Sequence, residues 1–267
     1  MRRAGVVYAN GVTALAPTTL TFERGLLHVI LGPSGAGKST LLRCLNGLVS
    51  PSTGEVYSAG HGTLRWGRLL REHRRGAAMI FQKHNLLPSL TVLRNLLHGR
   101  LGYHSIWRTV LPASIEDRRL ALDTLAQVGL LDKALQRVDQ LSVGQQQRVG
   151  LARALVQQPE LLLADEPVAS LDPTSAQQAL ALIAEVCRQR GITAIVSLHQ
   201  VELARVFADR VIGLTAGKVV FDGRPERMTQ EVLQRIYGNA DAPPPHSQFT
   251  NPREFSLCIL RSDSSSL

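Results

Sequence analysis

The run GPSGAGKST at residues 32–40 constrains the fold more than any other stretch. It matches G-x-x-x-x-G-K-[ST] through Gly32, Gly37, Lys38 and Ser39. Glycines at this density let the backbone wrap closely, so that successive N–H groups point inward. An apolar run, LLHVIL at 26–31, precedes the loop. Leu41, Leu42, Leu45 and Leu48 follow it at helical spacing. A buried strand feeding a glycine loop and then a helix makes an anion cradle, because the helix dipole adds partial positive charge at the loop. Pro33, Ser34, Gly35 and Ala36 supply backbone to this cradle. Lys38 would reach terminal phosphates, Ser39 would ligate Mg²⁺, and Thr40 completes the motif.

Three more apolar runs read as buried parallel strands: AAMIF at 77–81, LLLAD at 161–165 and TAIVSL at 193–198. Between the second and third lies a mostly helical block at about 85–157, where Leu122, Leu125, Ala126 and Leu130 keep helical spacing. The beginning, GVVYANGVTALAPTTLTF, predicts a β-rich edge of short strands. The expected fold is therefore α/β: a mostly parallel sheet, an N-terminal antiparallel edge and an inserted helical subdomain. One domain is expected over 1–238, followed at 239–267 by a tail rich in proline and serine that lacks periodicity.

A magnesium site needs a second anchor, and LLLADEP provides one. Its strand ends in Asp165, where a carboxylate meets the metal directly or through water. Glu166 follows at the strand mouth and would orient a water for attack on a γ-phosphate. Both acids are aimed at the carboxyl edge of the sheet, where open α/β folds bind ligands.

Composition narrows the partners. The net charge is +9, and its densest cluster is RWGRLLREHRR at 65–75. No nucleic-acid motif accompanies it, so it reads as a solvated helix face and no nucleic acid is expected. Cys44, Cys187 and Cys258 are odd in number and have no metal spacing, which fits a reduced compartment. No apolar run approaches the roughly 20 residues that span a bilayer. A cytosolic chain is expected, with other chains crossing any membrane it serves.

In order along the chain stand the loop at 32–40, Gln82 after a strand, LSVGQQQR at 141–148, LLLADEP, SLDP at 170–173, and His199 ending a strand. This order resembles the ATP-binding subunits of ABC transporters, with the P-loop ATPase core of that family, over residues 8–238. The resemblance implies a homodimer in which two subunits pair head to tail around two ATP molecules. The signature of one subunit would then cap the γ-phosphate held by the other, through the Ser142 hydroxyl, the Gly144 N–H and a helix beginning near Gln145. It further implies that Tyr8 stacks on adenine and that Gln82 contacts Mg²⁺ or the attacking water. Asp172 would reach across the dimer, and His199 would touch the γ-phosphate. Alone, Tyr8 and His199 would read as core packing; the motif order assigns them.

Two departures stand out. Valine occupies 143, where the family usually has glycine. A positive φ there would cost about 1–2 kcal/mol, whereas an extended backbone would cost little. Few residues precede Tyr8, so the first edge strand reads as clipped and the true start as lying upstream.

Within the helical block, GRLGYHSIWRTVLP at 99–112, together with LADEPVASLDP, SLHQVELA, FADRVIGL and VVFDG, resembles the phosphonate importer ATPases. That implies a peripheral subunit on the cytoplasmic face of the inner membrane, energising uptake of phosphonates or phosphite-like anions. Its partners would be integral membrane permease subunits and, indirectly, a periplasmic solute-binding protein. Tyr103 and Trp107 form a candidate docking patch for the permease, or a loop packed on its own lobe. Open alternatives are an importer subunit for another small polar solute, a soluble ATPase of this type acting on nucleic acid or in phosphonate degradation, and a regulator without turnover. The presence of Glu166, Gln82 and His199 argues against the last.

Overall fold

The computed structural model describes residues 1–60, 62–64, 67–82, 85–103 and 113–238. Trp107, most of 99–112, Cys258 and the expected tail at 239–267 lie outside these residues. The chain begins with β1 (Arg2–Val7), β2 (Thr13–Thr18), β3 (Leu27–Leu31) and α1 (Lys38–Leu45). Short strands β4 (Thr53–Glu55), β5 (Tyr57–Ser58) and β6 (Gly62–Thr63) lead to α2 (Arg68–Gly76) and β7 (Ala77–Ile80). Three helices follow, α3 (Val92–His98), α4 (Ile115–Gln127) and α5 (Val143–Leu155). Next come β8 (Leu161–Asp165), α6 (Pro173–Arg190), β9 (Thr193–Leu198) and α7 (Val201–Phe207). The hairpin β10 (Arg210–Thr215) and β11 (Lys218–Gly223) precedes the last helix, α8 (Gln230–Tyr237).

The main sheet has the order β11-β10-β3-β9-β8-β7. Every pairing in it is parallel except β10 with β11. The apolar runs at 161–165 and 193–198 coincide with β8 and β9, whereas β3 begins one residue later and β7 ends one residue earlier than their runs. These strands read as continuous apolar runs because both faces are covered. Leu27, Val29, Leu31, Leu162, Ala164, Ala194 and Val196 join the larger core with residues of α3 to α7. The alternate positions Ile30, Leu163, Ile195 and Ile212 join a second core with Leu41, Leu42 and Cys44 of α1. That second core also takes Ala4, Val6 and Leu15 from the small antiparallel sheet β2-β1-β4.

β1, expected as an edge strand, is the middle strand of its small sheet. β1 pairs with β2 on one side and β4 on the other, and the Met1 ammonium donates to Leu20 O at 2.7 Å. The arginine cluster also departs from its reading as a wholly solvated face. His73 Nε2–H donates to Leu45 O at 2.9 Å, and Arg74 donates to Asn46 O and Gly47 O at 3.4 and 2.5 Å. Side-chain donors from His73 and Arg74 thus satisfy the carbonyl end of α1, where the helix dipole favours the Arg74 charge. Arg65 and Trp66 lie outside the described residues.

His28 is the one polar residue in the middle of β3, and it is fully buried. Its Nε2–H donates to Glu23 O at 3.0 Å, while Nδ1 has no partner. Burial pushes its pKa down; the bond to Glu23 opposes this and the Arg210 charge reinforces it. In the unfolded chain the ring takes its proton near pH 6.5, which the folded chain resists. This contribution to stability is full above that pH and is lost as pH falls toward the folded value, by at most about 1.4 kcal/mol per pH unit. Urea midpoints measured downward from neutral pH should fall more steeply for the wild type than for His28→Gln. Parallel curves would refute the assignment.

Candidate functional site

The loop at 32–37 leaves β3 and enters α1 with left-handed residues at Gly35 (φ 77°) and Gly37 (φ 103°). A Cβ on Gly37 would collide with Ala14 O, so both backbone conformation and space demand glycine there. No side chain caps α1, and its first turn carries no acid. Its leading N–H groups are thereby left to an anion. Lys38 is buried, and its ammonium donates to Gly32 O at 2.8 Å and Pro33 O at 3.0 Å. It also pairs with Glu166 Oε1 at 3.6 Å. Burial lowers the Lys38 pKa, against the pull of Glu166.

Asp165, the last residue of β8, is buried and accepts two hydroxyl hydrogen bonds at Oδ1. One comes from Ser39 and one from Ser197, each at 2.9 Å. The Ser197 hydroxyl also accepts from the Glu166 N–H at 2.9 Å. Glu166 itself is left-handed (φ 49°), a conformation that non-glycine residues hold only when neighbours enforce it. That turn directs its carboxylate to Lys38, to His199 Nε2 in a short contact, and to Gln82 Nε2 at 3.3 Å. His199 Nδ1 lies 3.5 Å from Lys38 Nζ. Tyr8, just past β1, has its hydroxyl 3.1 Å from Thr40 Oγ1 at the start of α1.

The structure therefore brings together Tyr8, the loop with Lys38, Ser39 and Thr40, and Gln82, Asp165, Glu166 and His199. All lie at the carboxyl ends of β3, β7, β8 and β9, or beside them. Ser39 and Asp165 offer a hydroxyl and a carboxylate, the hard oxygen donors of a divalent cation. Among the described residues no group of three or more His, Cys, Asp or Glu could hold a metal.

Ser142, Gln145 and Asp172 make local contacts instead, and Gly144 lies in the first turn of α5. α5 begins at Val143, two residues ahead of expectation, because Ser142 and Gln145 form a capping box. Gln145 N donates to Ser142 Oγ at 3.3 Å, and Ser142 N to Gln145 Oε1 at 3.0 Å. Val143 has neither positive φ nor an extended backbone; it opens the helix and is half exposed. Asp172 caps α6 by accepting from Ser175 N at 3.0 Å, and the Ser175 side chain, followed by this backbone bond, holds its carboxyl pKa down.

Ser197 is a site residue that the sequence reading missed. A hydroxyl within the apolar run TAIVSL was the available signal.

Residues 15–169 match the sequence profile of the ABC transporter family. The chain belongs to the ABC transporter family. Among relatives of this ABC ATPase, the phosphite import ATP-binding protein PxtA of Stutzerimonas stutzeri is 55% identical over 251 residues, covering 91% of each chain. The phosphonates import ATP-binding protein PhnC 3 of Nostoc sp. is 52% identical over 236 residues, covering 88% of this chain and 90% of the relative. Among solved structures, the dimeric post-hydrolysis state of the ATP-binding cassette MJ0796 with ADP and Pi superposes with a TM-score of 0.72. It is 34% identical and covers 84% of this chain and 97% of that one.

In this ABC ATPase, Ser197 holds both the buried Asp165 and the backbone of Glu166. Ser197→Ala leaves the Glu166 N–H without its partner, so stability should drop by about 1–3 kcal/mol. ATP turnover should fall as well. Urea denaturation and steady-state hydrolysis measure the two, and an unchanged pair would remove Ser197 from the site.

Proposed function

We propose that this chain hydrolyses ATP to energise uptake of phosphonates or phosphite. The observation that carries this reading is the convergence of Lys38, Gln82, Glu166 and His199 on one phosphate loop. The names of the two relatives, each more than half identical over nine-tenths of this chain, supply the solute class.

In this reading residues 32–40 cradle the triphosphate and Tyr8 lies against adenine. Ser39, Asp165 and Gln82 would hold Mg²⁺, which would supply neutralising charge to the terminal phosphates. Asp165, the buried carboxylate among these three ligands, fits this ion, which usually completes its shell with substrate phosphates and water. Triphosphate draws Lys38 away from Glu166, and the freed carboxylate takes a proton from the attacking water. His199 and Gln82 hold that water and the γ-phosphate in line.

Two copies of the chain meet head to tail. Ser142 and Gly144 of one copy then face the phosphate held by the other, with Gln145 bracing Ser142, and Asp172 crosses the seam. The MJ0796 cassette, dimeric with ADP and Pi, supports pairing of two copies. The dimer works at the cytoplasmic face of the inner membrane against integral permease subunits, which a periplasmic solute-binding protein loads. Among the described residues no helix is long and apolar enough to cross a membrane, which agrees with a peripheral role. The ATPase domain spans 1–238, with its helical subdomain at about 85–157.

Cells lacking this chain should lose uptake of phosphonates or phosphite. The wild-type chain should restore it and Glu166→Gln should not. Undiminished uptake of every member of a phosphonate and phosphite panel would overturn the solute assignment. Light scattering should find Glu166→Gln dimeric under saturating ATP and magnesium. A strict monomer, with or without the permease, would remove the head-to-tail site.

A further inference from the structure

Tyr237 belongs to none of the sequence motifs, yet it reaches the centre of the site from the last described helix. We propose that Tyr237 is a positioning residue for His199, a role that rests on the ATPase reading above. Its hydroxyl donates to the backbone carbonyl of His199 at 3.2 Å. His199 sits in the short link between β9 and α7, and its ring is 40% exposed. Packing alone therefore does little to hold that ring. It nevertheless makes two directed contacts, Nε2 to Glu166 and Nδ1 to Lys38. Fixing the peptide unit at its carbonyl fixes the direction in which the side chain leaves the backbone.

The hydroxyl is delivered by a clamped element. Thr215 Oγ1, at the end of β10, donates to Ile236 O at 2.6 Å. Ile236 is fully buried over Gly213, where a Cβ would stand 2.5 Å from its Cδ1. The C-terminal turn of α8 thus rests on β10, and Tyr237 extends from it past β3 to the end of β9. Burial pushes the phenol pKa to about 12, against the backbone of Gly32, so the hydroxyl remains a donor at working pH. Tyr237 accordingly lies against both the first residue of the phosphate loop and the histidine above that loop.

The test is single-turnover ATP hydrolysis by the full chain with magnesium, alongside binding of a fluorescent ATP analogue. Tyr237→Phe keeps the ring and removes only the donor. It should slow hydrolysis about three- to ten-fold, the range one hydrogen bond spans. Analogue affinity should change by less than about two-fold if the hydroxyl acts on the chemical step alone. Thr215→Val loosens the clamp without touching the ring and should slow hydrolysis in the same direction. In a His199→Ala background both effects should shrink below about two-fold, because residues acting through one another are not additive. Unchanged hydrolysis in Tyr237→Phe, or equal slowing in both backgrounds, overturns the proposal. If His199→Ala alone hydrolyses ATP at the wild-type rate, the ATPase site reading falls with it. A slow His199→Ala beside a normal Tyr237→Phe sinks only the role of Tyr237.

Discussion

One carboxylate oxygen organises the site. Asp165 Oδ1 accepts from Ser39 on α1 and from Ser197 on β9 while belonging to β8. A buried carboxylate without donors would be expensive, and it would take up a proton instead. The two hydroxyls remove that penalty and fix three elements to one point. Ser197 then uses its remaining capacity to accept from the Glu166 N–H. The chain beyond β8 is therefore turned by the same node that anchors the loop helix. A small displacement of β9 would be felt at Ser39 and at Glu166 together.

Glu166 bears the local strain. A left-handed conformation at a non-glycine residue costs about 1–3 kcal/mol. Glycine would remove that strain, but it has no carboxylate. The conformation is opposed to the sheet and favoured by what the side chain meets: Lys38, His199 and Gln82. The buried ammonium of Lys38 is divided between this carboxylate and the loop carbonyls of Gly32 and Pro33. In the proposed function triphosphate would compete for the same cation with more charge, so that its entry would release Glu166 through one lysine.

Much of this was legible in the sequence, for reasons that differ from residue to residue. β8 and β9 were readable because both faces of the sheet are covered, which writes a strand as an unbroken apolar run. The loop, Asp165 and Glu166 were readable from glycine spacing and a strand end, and Gln82 and His199 only through the resemblance in motif order; the structure brings them together. The start of α5 was also written, as a serine three residues ahead of a glutamine. Contacts with distant partners were not readable. Arg74 serves the end of α1, Ser197 serves the residue after β8, and Tyr237 serves a carbonyl 38 positions away. A side chain's type does not encode which remote backbone group it will find.

The two glycine-bearing helix starts show how differently one motif class can be used. α1 begins bare, with nothing of its own at its N–H groups, and its glycines are required by the chain itself. α5 begins closed, its Gln145 N–H already taken by Ser142. Gly144 has helical φ, and a Cβ on it would meet nothing within 4 Å. Alanine there would stabilise the helix by up to about 1 kcal/mol. Among the described residues nothing asks for glycine at 144. In the proposed dimer its place is at the seam, where a phosphate would approach closely enough to meet the Gly144 N–H and the unspent proton of Ser142. Val143 is already helical and half exposed, so its side chain costs the helix start no backbone strain and in that dimer would stand at the rim of the seam.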